Sequence, residues 1–191
     1  MIITVANQKG GVGKTTTVVN MAVALAQLGR RVLVVDLDPQ GNATTGLGVS
    51  SRTDNQGIYD VLIEDLPMAQ AVVLIPEDER VRLVPASLDL AGAEIELVSM
   101  VAREYRLQKA LTTYLAEEPA DVVLIDCPPS LGLLTLNALV AAEEILIPIQ
   151  CEYYALEGLG QLIRTVEMVT QHLNPGLRIS AILLTMTDSR T

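Results

Sequence analysis

The stretch Lys9-Gly10-Gly11-Val12-Gly13-Lys14-Thr15-Thr16 lies between a short β-branched run, Ile2 to Ala6, and a helical one, Thr15 to Leu28. Few features constrain a fold more. Glycines let backbone N–H groups turn inward on a set of phosphates, and the helix that starts at once adds its positive dipole end. Lys14 is placed to reach β- and γ-phosphates, and the Thr15 hydroxyl to ligate Mg²⁺. Gly10, Gly11, Val12, Gly13, Lys14, Thr15 and Thr16 are therefore the candidate nucleotide cradle. A glycine-rich turn with no ligand is the bland alternative, and the strand–loop–helix context argues against it.

The rest of the chain agrees with that context. Runs rich in Val, Ile and Leu recur at Arg31 to Asp36, Val81 to Val84, Asp121 to Asp126, Glu144 to Ile149 and Arg178 to Thr185. They alternate with helical patterns, as in Leu107, Ala110, Leu111, Tyr114 and Leu115, or Leu159, Leu162, Ile163, Val166 and Val169. Such alternation predicts an α/β fold, a mostly parallel central sheet flanked by helices on both faces. The segment Thr15 to Leu28 is apolar on nearly every side and predicts a buried helix, capped by Gly29. Val49 to Gln56 reads as a surface loop. Phe and Trp are absent, so Val, Leu, Ile, Ala and Met must fill the core, as they do in buried parallel sheets.

Charge narrows the function less than its total suggests. Thirteen basic and twenty-three acidic side chains give a net charge of −10 over 191 residues, which disfavours a general nucleic-acid binder. The acids are clustered, however. None precedes Asp36, whereas eleven lie from Asp54 to Glu104 against three arginines. A locally positive surface is compatible with that distribution. Cys127 and Cys151 match neither a disulfide framework nor a metal spacing, and Cys127 reads as a small buried hydrophobe. No apolar run reaches the ~18 residues of a membrane span, and no leader is evident, so a cytoplasmic protein without a membrane partner is expected.

The phosphate loop departs from the ordinary G-x-x-x-x-G-K-T pattern. Gln8 stands where the first glycine belongs, and a second lysine, Lys9, precedes the glycine pair. Lys9 could reach a nucleotide held by a second subunit, or be a solvated surface charge. This loop resembles the deviant Walker A loop of the ParA/MinD class of dimerising ATPases. Asp36-Leu37-Asp38-Pro39-Gln40-Gly41-Asn42 is similar to the next motif of the ParA branch, and Leu124-Ile125-Asp126-Cys127-Pro128-Pro129-Ser130 to its Walker B strand and switch loop. Cys151-Glu152-Tyr153-Tyr154-Ala155-Leu156-Glu157-Gly158 resembles a segment of Soj-like partition ATPases.

The resemblance implies ATP with Mg²⁺, slow hydrolysis, and a homodimer that sandwiches two nucleotides, with Gly10 and Gly11 allowing close approach. It makes Lys9, Lys14 and Asp38 the catalytic candidates. Asp38, beyond a strand end, could orient the attacking water or simply form an Asx turn before Pro39. Asp126 should reach the metal through water, with the Thr15 region beside it. Asp36 could touch the same metal shell or tie down the loop. The resemblance further implies non-specific DNA binding by the ATP dimer, with Arg190 as a contact, and a ParB-like centromere-binding partner that stimulates hydrolysis. The expected setting is chromosome or plasmid partition at the nucleoid. A MinD-like membrane-cycling regulator and a nucleotide-gated scaffold or positioning protein are the alternatives.

A single ATPase domain over residues 1–191, with no helix-turn-helix ahead of it, is expected. The last strand run is followed by no crossover helix. Either that strand is an exposed edge or C-terminal strands and helices are missing, and the second is the expectation. His172 reads as a surface residue at a helix end.

Overall fold

In the computed structural model the residues described are 1–50, 56–151 and 155–187, with side chains not described for 155–157. Arg190 and the middle of the Cys151–Gly158 motif, Glu152 to Tyr154, thus lie outside the described residues.

The elements run β1 (Ile2–Val5), α1 (Lys14–Gln27), β2 (Val32–Asp36), α2 (Asn42–Gly46), α3 (Ile58–Ile63), α4 (Met68–Ala71), β3 (Val73–Leu74), β4 (Val81–Val84), α5 (Leu90–Leu97), a 3₁₀ turn (Arg103–Tyr105), α6 (Arg106–Glu117), β5 (Val122–Asp126), α7 (Leu133–Ala141), β6 (Glu144–Gln150), α8 (Ala155–His172) and β7 (Arg178–Thr185). The seven strands form one sheet in the order β3-β4-β2-β5-β1-β6-β7. Every pairing is parallel except β3 with β4. The mostly parallel, helix-flanked α/β architecture is the one the strand runs predict, with strand ends shifted by no more than a residue. The two-residue β3 was not expected. A strand that short carries no readable alternation.

Strand residues alternate between two cores. Val32, Val34 and Leu124 join Val18, Ala22 and Ala26 of α1 on one face. Leu33, Val35, Val123 and Ile125 join residues of α3, α5, α6, α7 and α8 on the other. β2 and β5 are consequently buried along their whole length, the condition under which a strand reads as an unbroken apolar run. Helix α1 corrects an expectation. Only Lys14, Val18, Ala22 and Ala26 are buried, a single stripe at i, i+4 spacing. Val23, Ala24 and Gln27 are exposed, because the sheet covers one side of this helix. Gly29 does end it. With φ at +81°, Gly29 lets the Arg30 N–H return to the Leu25 carbonyl at 3.0 Å, a turn that favours glycine.

At the other end of the sheet, β7 lies at the edge beside β6 and is exposed along almost all its length.

One buried polar residue ties the helical layer together. Asn137 of α7 is fully buried. Its amide donates to the carbonyls of Arg103 and Leu133, both at 2.9 Å, and its oxygen accepts from the Leu107 N–H at 3.2 Å. Asn137→Ala should strand the Leu107 N–H and the Arg103 carbonyl and cost about 2–4 kcal/mol. Urea unfolding would show this as a lower midpoint, whereas an unchanged midpoint would contradict the role.

Candidate functional site: the phosphate loop and its acids

The loop grows out of the centre of the sheet. The Asn7 amide donates to the Pro148 carbonyl at 2.6 Å, and its oxygen accepts the Lys9 N–H at 3.0 Å, which sets the exit of β1. Gly11 and Gly13 have φ of +72° and +89°, values that strain any residue with a Cβ. Thr15 and Thr16 follow on the first turn of α1. The residues Gly10, Gly11, Gly13, Lys14, Thr15, Thr16, Asp38, Gln40, Asn42, Pro129 and Met186 line a cleft of about 470 Å³. The expected cradle is thus gathered in one place, apart from Val12. The Val12 side chain is fully buried, leaving only its backbone to face a ligand.

Register brings the acids to the same edge. Asp126 lies opposite Asp36 on one side and Val5 on the other, so both carboxylates end their strands beside the loop. The Thr15 hydroxyl donates to Asp126 Oδ2 at 2.7 Å. Asp126 Oδ1 is buried with no hydrogen-bond partner among the described residues. Burial, with the nearby Asp36 adding to it, pushes the Asp126 carboxyl up to about 7 despite Thr15 and Lys14. Asp36 is pushed up to about 6 by burial, against the opposing effect of its hydrogen bonds.

Those bonds show what Asp36 does in the fold. Its Oδ2 accepts from the Thr44 N–H and hydroxyl at 2.8 and 2.7 Å, and its Oδ1 accepts the Asp38 N–H at 3.1 Å. Thr44 in turn accepts the Ala86 N–H at 3.1 Å. Asp36 therefore ties the loop after β2 to α2 and, through Thr44, to the chain just after β4. Asp38 is largely buried and lines the cleft, and it also closes an Asx turn with the Gln40 N–H at 3.0 Å. The Asx-turn reading of Asp38 is observed, and the turn leaves Asp38 among the residues that line the cleft.

Lys14 is mostly buried, and its ammonium donates to the Lys9 carbonyl at 3.2 Å. Burial lowers its pKa, while Asp126, Cys127 and Asp38 oppose that shift. Lys9 is not among the cleft-lining residues. Its ammonium donates to Gln150 Oε1 at 2.9 Å. Cys127 is fully buried and its thiol is pushed up by burial, as a small core residue should be. His172 is exposed at the end of α8.

Sequence reasoning missed the residues that arrive from far along the chain. The Thr185 hydroxyl donates to the Val12 carbonyl at 2.9 Å, and its methyl lies 3.7 Å from where a Cβ on Gly13 would stand. Gln150 and Met186 close the same corner. No local signal marks them, since partners more than a hundred residues apart leave no spacing to read.

A family model described as "AAA domain" matches residues 1–179. The sporulation initiation inhibitor protein Soj of Bacillus subtilis is 53% identical over 190 residues, covering 100% of this chain and 74% of that protein. The chromosome partitioning protein ParA of Myxococcus xanthus is 56% identical over 190 residues, covering 99% and 66%. The chain belongs to the Soj/ParA family of partition ATPases. Among solved structures, one from Mycobacterium smegmatis named cobyrinic acid a,c-diamide synthase, with bound ADP and magnesium, has a TM-score of 0.93 at 48% identity, covering 100% of this chain and 76% of that one. As a family member the chain is an ATPase that uses ATP and Mg²⁺.

The residues present fit the metal. A buried, unpartnered carboxylate oxygen beside a hydroxyl at a phosphate cradle suits a hard cation that takes oxygen ligands. Thr15 and Asp126 would hold Mg²⁺, which supplies positive charge to the phosphates.

The acids also predict how the ligand-free protein responds to pH. Asp36 and Asp126 bind protons more tightly when folded than an ordinary aspartate, which titrates near 3.8. Their contribution to stability is full below that value and is lost as pH rises through about 6 and about 7. Stability should therefore fall with rising pH across that window. Asp126→Asn should remove the upper part of the fall and stabilise the ligand-free protein at alkaline pH. Urea titrations at several pH values with a chelator present would test this. A variant with the unaltered pH slope would contradict it.

Proposed function

We propose that this ATPase is a dimerising switch for chromosome or plasmid partition. ATP closes two subunits over sandwiched nucleotides, the dimer binds DNA without sequence preference, and a ParB-like partner releases it by stimulating hydrolysis. In this reading Lys14 neutralises the phosphates of its own nucleotide. Lys9 leaves Gln150 to reach the nucleotide of the partner subunit, and Asp38 orients the attacking water. The protein works in the cytoplasm at the nucleoid.

One observation supports the dimer above the others. Gly10 and Gly11 are exposed at the rim of the cleft, and among the described residues no atom beyond its chain neighbours stands within 4 Å of where a Cβ on Gly11 would lie. A second subunit can approach that rim closely. The partition reading over a membrane-cycling one leans on the Asp38-Pro39-Gln40-Gly41-Asn42 loop and on the Soj and ParA relatives. Among the described residues no helix is long and apolar enough to cross a membrane. The synthase name of the M. smegmatis neighbour attaches another use to a similar nucleotide site, and the same test separates the two.

Full-length protein carrying Asp38→Ala should form a stable ATP dimer that retains random-sequence duplex DNA, and should release it without ATP. An ATP dimer that ignores DNA would overturn the partition switch in favour of a scaffold or membrane role. Lys9→Ala should keep ATP binding and lose the dimer in size-exclusion light scattering. A dimer that persists would remove Lys9 from the shared site.

A further inference from the structure

Residues of α3, α4 and α6 line a second cavity, of about 230 Å³, that shares no lining residue with the phosphate cleft. Helix α6 supplies Arg106, Lys109, Ala110, Thr113, Tyr114 and Glu117. These recur at i, i+3, i+4, i+7, i+8 and i+11 and so share one face of the helix. The other elements add Val61, Leu66 and Met68, which make the wall largely apolar. The Tyr114 hydroxyl is already held by Arg82 Nη1 at 2.9 Å, so the ring is what Tyr114 offers.

The two ends of this face differ in charge. Arg106 and Lys109 stand on the first turn of α6, and Glu117 on its last, a rise of ~16 Å from Arg106. The Arg106 side chain is only 14% exposed, and its Nε donates to the Leu62 carbonyl. Its Nη2 lies 2.9 Å from Asp65 Oδ1. That nitrogen is nevertheless buried without a hydrogen bond among the described residues, so charge rather than an aligned N–H holds the pair. The Lys109 ammonium stands 3.9 Å from the same oxygen.

Asp65 is a loose counter-ion. Its side chain is 65% exposed, and its φ of +55° is one that a helix end ordinarily gives to glycine. The turn lets the Leu66 N–H return to the Asp60 carbonyl at 3.1 Å, and glycine would make it with less strain. What an aspartate adds at this position is a carboxylate over two cations.

We propose that this cavity binds a small monocarboxylate with an apolar body, and that the ligand's carboxylate takes the place of Asp65 on Arg106 and Lys109. Charge sets the class. A planar carboxylate suits the guanidinium and gives the Arg106 Nη2 the hydrogen bond it lacks. A second negative charge on the ligand would meet Asp65 or Glu117, and a cationic head would meet Arg106 and Lys109. Volume sets the size. A dry cavity of ~150 Å³ holds a benzene ring, so this one takes a ring or short chain together with its charged head. Val61, Leu66, Met68 and the Tyr114 ring receive the apolar body. The site needs no nucleotide, and it stands or falls apart from the partition reading.

Calorimetric titration of the full-length protein with phenylacetate tests this. Phenylacetamide serves as the uncharged control, and ADP with Mg²⁺ is held at saturation to fill the phosphate cleft. The acid should bind at one site per chain, and the amide at least about tenfold more weakly. Lys109→Ala, at an exposed position, should weaken binding of the acid about threefold, and Asp65→Asn should tighten it about as much. Ala110→Leu narrows the cavity and should abolish binding, with a urea midpoint checking that each variant folds. Equal binding of acid and amide, no binding at millimolar acid, or undiminished binding by Ala110→Leu overturns the site. Unchanged affinity in Lys109→Ala or Asp65→Asn overturns the placement of the carboxylate on Arg106 and Lys109.

Discussion

Everything at the nucleotide end of this molecule depends on a carboxylate placed where water does not reach it. Asp126 ends a strand that is paired on both sides, and register sets Asp36 beside it. Asp38 follows two residues later on the same edge. Against these three acids the cleft offers one mostly buried ammonium, that of Lys14. Asp36 spends its oxygens on Thr44 and Asp38 and becomes a fixture of the fold. Asp126 keeps one oxygen unused. A triphosphate alone would add negative charge to a site already short of positive charge, and desolvation would make that costly. The nucleotide therefore has to arrive with a divalent cation. The orphaned oxygen beside the Thr15 hydroxyl would suit such a cation.

That arrangement was partly legible in the sequence, and the boundary between what was and was not has a physical origin. Strands buried on both faces cannot alternate, so Val32 to Asp36 and Val122 to Asp126 stand out as apolar runs ending in an acid. Gly11 and Gly13 mark a loop because their backbone angles exclude most other residues. These are local constraints, and local constraints leave local traces. The helices α3, α4 and α5 were not foreseen, since six, four and eight residues hold too few turns for a helical period to emerge. The face of α1 was overestimated for a related reason. Alanine and valine suit a covered or an uncovered side equally, and only the position of the sheet decides which.

The candidate site divides in the same way. Lys14, Thr15, Asp126 and Asp38 belong to motifs whose spacing reflects their chemistry, and the fold sets Lys14, Thr15 and Asp38 in one cleft with Asp126 hydrogen-bonded to Thr15. Thr44, Gln150 and Thr185 have no such mark. Thr185 meets Val12 across 173 positions of sequence, and any hydroxyl or amide in the chain could have filled the place. The loop around Lys9 shows both kinds of information at once. Its unusual lysine is plain in the sequence, but its present partner, Gln150 on β6, is a product of topology.

Topology also sets how firmly the phosphate loop is held. On its inner side the loop is anchored by Asn7 and by the central strands, the best-buried part of the molecule. On its outer side it is held by Thr185, the last residue of β7. That strand pairs with β6 over residues Arg178 to Thr185, yet Ile182, Leu183 and Leu184 are 48%, 40% and 60% exposed. Edge strands with little covering them open more readily than central ones. The Val12 carbonyl and the turn at Gly13 therefore inherit the stability of the least protected strand in the sheet. Whatever covers β7, whether other parts of the protein or a neighbouring molecule, stiffens the outer wall of the nucleotide cleft without touching the nucleotide.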